Sequence, residues 1–100
     1  FDCSGFVYYV LKNSGVATSR LSSASYATVS NWATISDINS LAAGDLVCFK
    51  SDNGDTISHI GIYLGGGSFI HSAPSSEGVA VSKMSSGYYL RNFVTAKRIF

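Results

Sequence analysis

The spacing of apolar and polar positions changes along this chain. Cys3, Phe6, Val7, Val10 and Leu11 recur at i, i+3, i+4, i+7 and i+8, one face of a helix, with Asp2 placed to cap its start and Gly15 to stop it. The pattern predicts a helix over residues 3–14 with Cys3 in its first turn. Tyr26, Val29 and Trp32 suggest a second, shorter helix over residues 23–32. After a turn at residues 41–45 the period shortens. Leu46-Val47-Cys48-Phe49 is an unbroken apolar run of strand length, and residues 51–55 are turn-rich. Residues 57–64 then alternate, with Ile60, Ile62 and Leu64 on one face and His59, Gly61 and Tyr63 on the other. The Gly65-Gly66-Gly67 turn leads into residues 68–73, and further strands are expected over residues 78–83 and 94–100, with a helical turn at residues 88–92 between them. Helix first and antiparallel hairpins afterwards make an α+β fold, an N-terminal helix packed on an antiparallel sheet.

Composition narrows the picture. The chain has 100 residues, 46% hydrophobic and 13% charged, with a formal net charge of +1, which describes one small domain rather than a disordered tail. The near-neutral balance lacks the basic stripe that nucleic-acid binding requires, and the basic positions Lys83, Arg91, Lys97 and Arg98 read as a solvated face. Residues 21–36 carry no charge, but Ser, Thr and Asn interrupt them, so no run approaches the ~18 apolar residues of a membrane span. The first residue is not Met, and the chain is expected to lie inside a longer protein.

Two cysteines are too few for a disulfide scaffold or a four-cysteine zinc cluster. Cys48, inside its apolar run, reads as core. Cys3 has different company. His59 and His71 are twelve residues apart across the glycine turn; with the hairpin centred near Gly65 they become directly opposed neighbours on one face, their side-chain roots ~4.5–5.5 Å apart. That face also holds Gly61, whose missing side chain is expected to leave room for an approaching group. If the first helix packs on it, the Cys3 thiol meets an imidazole backed by a second imidazole, an arrangement of nucleophile, base and orienter. The helix N-terminus and a protonated His59 favour a resting thiolate–imidazolium pair, and the first-turn N–H groups suit an oxyanion. The same three side chains could instead ligate zinc, but a hydrolytic zinc site would need a carboxylate partner, and Glu77 is the one glutamate. No cofactor is expected.

The blocks Phe1-Asp2-Cys3-Ser4-Gly5-Phe6, Gly44-Asp45-Leu46-Val47, Ser58-His59-Ile60-Gly61-Ile62-Tyr63-Leu64-Gly65 and Phe69-Ile70-His71-Ser72, in this order, resemble the signature blocks of the NlpC/p60 cysteine peptidases over nearly the whole chain. The resemblance implies a papain-like α+β fold and hydrolysis of peptidoglycan stem peptides, typically between D-glutamate and the following diamino acid. It matches Cys3 to the nucleophile, His59 to the general base, His71 to the orienting residue, and Asp2 and Ser4 to positions around the substrate. Gly44-Asp45 matches a structural turn. Residues 20–23 only loosely match the family's arginine-containing substrate loop, lacking its proline, and carry no weight. Family members also have a tyrosine upstream of the nucleophile. Because the chain begins two residues before Cys3, residues 1–100 are expected to be a single catalytic domain lacking its N-terminal segment. The implied setting is secreted or wall-associated, in a bacterium or phage, with further domains in the parent chain. An amidase or acyltransferase on the same scaffold, or an inactive wall-binding module, are the alternatives.

Overall fold

The computed structural model describes residues 2–73 and 78–100. Phe1 of the first signature block and Glu77 lie outside the described residues. Helix α1 spans Cys3–Asn13. Asp2 caps it, its carboxylate accepting from the Gly5 N–H at 2.7 Å, and Gly15 ends it at φ +82° while the Val16 N–H donates to the Leu11 carbonyl. Helix α2 covers only Ser23–Tyr26, a correction to the longer helix expected over residues 23–32. The run Thr28-Val29-Ser30-Asn31 is poor in helix formers, and the Thr28 hydroxyl donates to the Ser25 carbonyl at 2.9 Å. Trp32 still packs on Tyr26, the rings stacked 6.2 Å apart, but reaches it through turns.

Six strands follow: β1 Ala33–Ile35, β2 Leu46–Lys50, β3 Ile57–Gly65, β4 Ser68–Ser72, β5 Val79–Lys83 and β6 Phe93–Arg98. A 3-10 turn at Ile38–Ser40 follows β1, and helix α3, Gly87–Asn92, precedes β6. They form one antiparallel sheet in the order β1-β6-β2-β3-β4-β5, so the fold is the α+β arrangement that the sequence predicts. β2 is central, and both of its faces are covered, which explains its uninterrupted apolar run. Leu46 and Cys48 meet Val7, Leu11, Tyr26 and Ile60 on the helical side. Val47 and Phe49 meet Phe69, Met84 and Ala96 on the other side, under Ile38, Leu41, Tyr89 and Phe93. Each large apolar side chain removed from water in these two layers contributes about 1.5–3 kcal/mol.

The turn before β2 is fixed by Asp45. Its carboxylate accepts from the Ala42 N–H and from two nitrogens of the Arg98 guanidinium, each at 2.9 Å. Burial pushes this carboxyl up, but the Arg98 and Ala42 donors outweigh it and hold it below the usual carboxylate range. Gly44 supplies the positive φ of +95°. No helix among the described residues is long and apolar enough to cross a membrane.

Candidate active site

Two expectations about the site's layout are corrected. First, α1 does not pack on the histidine face. Val7 and Leu11 bury against Ile60, Leu46 and Cys48, whereas His59 alternates to the opposite face beside Phe49. Cys3 meets the sheet at the start of β3, where its Sγ lies 3.8 Å from the Ser58 carbonyl oxygen, one residue before His59. The half-buried thiol also shares a 3.2 Å hydrogen bond with the buried Ser23 hydroxyl at the start of α2. Among the described residues it makes no hydrogen bond to an imidazole.

Second, the hairpin is not centred on Gly65. Its two-residue turn is Gly66-Gly67, with φ of +62° and +83°, the double positive φ of a tight antiparallel connection. A register shift between Tyr63 and Gly65 then pairs Tyr63 with Phe69 and Ile62 with Ile70. Continuing that register sets Gly61, not His59, opposite His71. The two histidines keep the same face, but as diagonal neighbours. The space over Gly61 is filled from within: a Cβ there would lie 2.8 Å from the Phe69 ring, 2.9 Å from the Ile70 carbonyl and 3.1 Å from His71 Cβ. Gly61 admits the β4 side chains rather than an outside group.

The diagonal placement brings the rings into direct contact. His59 Nε2 and His71 Nδ1 are 2.7 Å apart, the ring planes 80° to one another. His71 Nε2 lies 2.9 Å from Ser82 Oγ on β5. His71 is 1% exposed, enclosed by the rings of Phe69 at 4.6 Å and Tyr89 at 5.5 Å. Tyr89 stands 6.5 Å from the His59 ring as well. Burial, and the nearby charge that His71 would carry, push His59 down to about 4. Burial also lowers His71. Both rings are therefore neutral at pH 7, and the expected resting imidazolium is replaced by a neutral base. The physical reason is burial first and the neighbouring His71 second; among the described residues no carboxylate is hydrogen-bonded to the His59 ring to stabilise a positive charge.

The other named residues sit at the helix N-terminus. Asp2 serves as the cap and is also 3.3 Å from Arg20 Nη2 in an exposed ion pair. Ser4 is half-buried in the same first turn. Asp2 takes the Gly5 N–H through its side chain and the Phe6 N–H through its carbonyl, leaving Cys3 and Ser4 as first-turn donors without a helical acceptor. Residues 20–23, only a loose match in the sequence, reach the thiol through Ser23 and the helix cap Asp2 through Arg20. Ser82 and Tyr89, which the sequence did not single out, close the far side of His71. Among the described residues no three His, Cys, Asp or Glu side chains converge as a metal site.

The family profile described as NlpC/P60 matches residues 1–98. The chain belongs to the NlpC/P60 family. Similar relatives include the probable peptidoglycan endopeptidase LytE of Bacillus subtilis, 40% identical over 98% of this chain and 27% of the relative. The murein DD-endopeptidase MepH of Escherichia coli is 34% identical over 99% of this chain and 36% of its own length. A γ-D-glutamyl-L-lysine dipeptidyl-peptidase of Bacillus subtilis is 30% identical over 100% of this chain and 33% of its own. The chain thus spans roughly a third of these NlpC/P60 relatives, and the matched part holds the whole Cys3, His59 and His71 arrangement.

Proposed function

We propose that this NlpC/P60 domain is a cysteine endopeptidase that hydrolyses peptidoglycan stem peptides outside the cytoplasm, at the bond between γ-D-glutamate and the following diamino acid. The observation that carries the reading is the direct Nε2–Nδ1 bond between His59 and His71, with a helix N-terminal thiol 3.8 Å from the carbonyl of Ser58, the residue before His59. That bond occupies His59 Nε2 and leaves Nδ1 as the ring nitrogen for exchange with Cys3.

In the proposed cycle Cys3 Sγ attacks the γ-D-glutamyl carbonyl carbon as its thiol proton passes to neutral His59. The Cys3 N–H donates to the developing oxyanion. His59 then gives the proton to the leaving amine, the C–N bond breaks, and a thioester remains on Cys3. Water attacks the thioester as His59 takes one of its protons; the C–S bond breaks, and the proton returns to sulfur as the carboxylic product leaves. His71 orients His59 throughout. Asp2 and Ser4, flanking the nucleophile, are proposed to line the substrate cleft.

A second bond has specific support, because MepH is a DD-endopeptidase by name while another relative is a γ-D-glutamyl-L-lysine peptidase. Mass spectrometry of uncross-linked tetrapeptide muropeptides and of cross-linked dimers, treated separately, decides between them. The proposal expects release of the fragment that begins with the diamino acid from both. Conversion of dimers to monomers with intact stems would move the assignment to the DD bond.

A further inference from the structure

His71 has both ring nitrogens engaged, Nδ1 by His59 and Nε2 by the Ser82 hydroxyl at 2.9 Å, and Ser82 is hydrogen-bonded in turn to Tyr89. Ser82 sits on the edge strand β5, paired with Phe69, so its hydroxyl reaches back over β4 to the buried ring. A neutral imidazole has one donor and one acceptor nitrogen, so the tautomer of His71 dictates that of His59. Two arrangements satisfy the chain. With the His71 proton on Nε2 and donated to Ser82, Nδ1 is an acceptor; His59 then carries its proton on Nε2, and its Nδ1 lone pair is open to the thiol proton. With Ser82 donating to His71 Nε2, everything reverses: His71 Nδ1–H donates to His59 Nε2, and His59 Nδ1 holds a hydrogen and accepts nothing.

We infer that Ser82, held by Tyr89, is a positioning residue that keeps His71 in the Nε2–H tautomer and thereby keeps His59 able to accept the Cys3 proton. In this arrangement Tyr89 is the acceptor of the Ser82 hydrogen, so that the serine lone pairs face His71. Among the described residues the titratable rings against His71 are those of His59 and Tyr89, and burial rather than a neighbouring charge is what shifts His71. The inference rests on the peptidase reading for its consequence, but not for its observable.

Long-range proton–nitrogen NMR of the histidine rings at pH 7.5 reads the tautomers directly. The wild type is expected to show His71 protonated at Nε2. Ser82→Ala is expected to move His71 and His59 toward the Nδ1–H forms, and Ser82→Thr to restore the wild-type pattern. On muropeptide, kcat should fall about 10–100-fold in Ser82→Ala with KM changed less than about twofold, and recover in Ser82→Thr. Tyr89→Phe, which frees the Ser82 hydrogen to point at His71, should shift the tautomers the same way and covers the case that Ser82→Ala does not fold. Unchanged tautomers in the folded variants overturn the inference whatever the activity. Tautomers that shift as expected in a protein without hydrolase activity uphold the positioning role and overturn the peptidase reading alone.

Discussion

His71 Nδ1 stands 2.7 Å from His59 Nε2 with the ring planes 80° apart, a contact made across a diagonal of the β3–β4 hairpin. Across a bond this short between two neutral rings, one nitrogen donates and the other accepts, so the two tautomers are tied to each other. Burial of the His59 ring, with the charge that His71 would carry beside it, gives His59 its low basicity.

The first consequence is in pH. His59 is pushed down to about 4 from an ordinary 6.5, and His71 is lowered too. Between these limits the unfolded chain binds protons that the folded chain refuses, so stability is full above about pH 6.5 and falls as pH drops toward 4. Allowing for the partial solvent contact of His59, the loss is on the order of 2 kcal/mol. Urea unfolding at pH 7 and pH 4.5 should show it, and His59→Gln should show a smaller loss. Equal losses in the two proteins would mean that His59 is not the group refusing the proton. The acid limb of kcat/KM should likewise lie near the value for His59, below the ordinary histidine range.

The two cysteines should behave oppositely. Cys3 is half-buried at a helix N-terminus, whereas Cys48 is 0% exposed and its thiol is pushed up to about 12 by burial, with only partial relief from Lys97. Iodoacetamide applied to the native protein at pH 7.5 should modify Cys3 alone, as peptide mass mapping would reveal, and Cys3→Ser should remain unlabelled until urea is added. Native labelling at Cys48 would contradict the packing of the central strand.

Gly61 should tolerate no side chain. An added Cβ meets the Phe69 ring at 2.8 Å and the Ile70 carbonyl at 2.9 Å, one of them backbone that has nowhere to move. Gly61→Ala should lower stability by about 1–3 kcal/mol in urea titration. Because His71 Cβ lies 3.1 Å from the same point, the variant should also lose activity at temperatures where it is folded. A variant as stable as the wild type would show that β3 and β4 are not this close.

Much of this architecture was legible in the residues. The spacing from Cys3 to Leu11 identified α1, and the alternation through His59, Gly61 and Tyr63 identified β3 and assigned both histidines to one face. The register was not legible, because three consecutive glycines offer more than one place for the turn, and moving it from Gly65 to Gly66-Gly67 exchanges an opposed histidine pair for a diagonal one. Nor could the sequence say which face α1 covers: Ile60 and His59 are equally adjacent in the chain, and only the burial of Val7 and Leu11 against Ile60 decides it. Ser82 and Tyr89 join His71 through neighbouring elements, a relationship that no local pattern in the sequence carries. The strand β1 is three residues long, too short to show a period.

In the proposed cycle Cys3 carries the acyl group, and intact-protein mass spectrometry of an acid-quenched reaction with muropeptide detects it there. A transient mass increase equal to the γ-D-glutamyl portion of the substrate, mapped to the peptide containing Cys3 and absent in Cys3→Ala, is the predicted result. Hydrolysis that proceeds at the wild-type rate in Cys3→Ala, with no adduct on either protein, would contradict it.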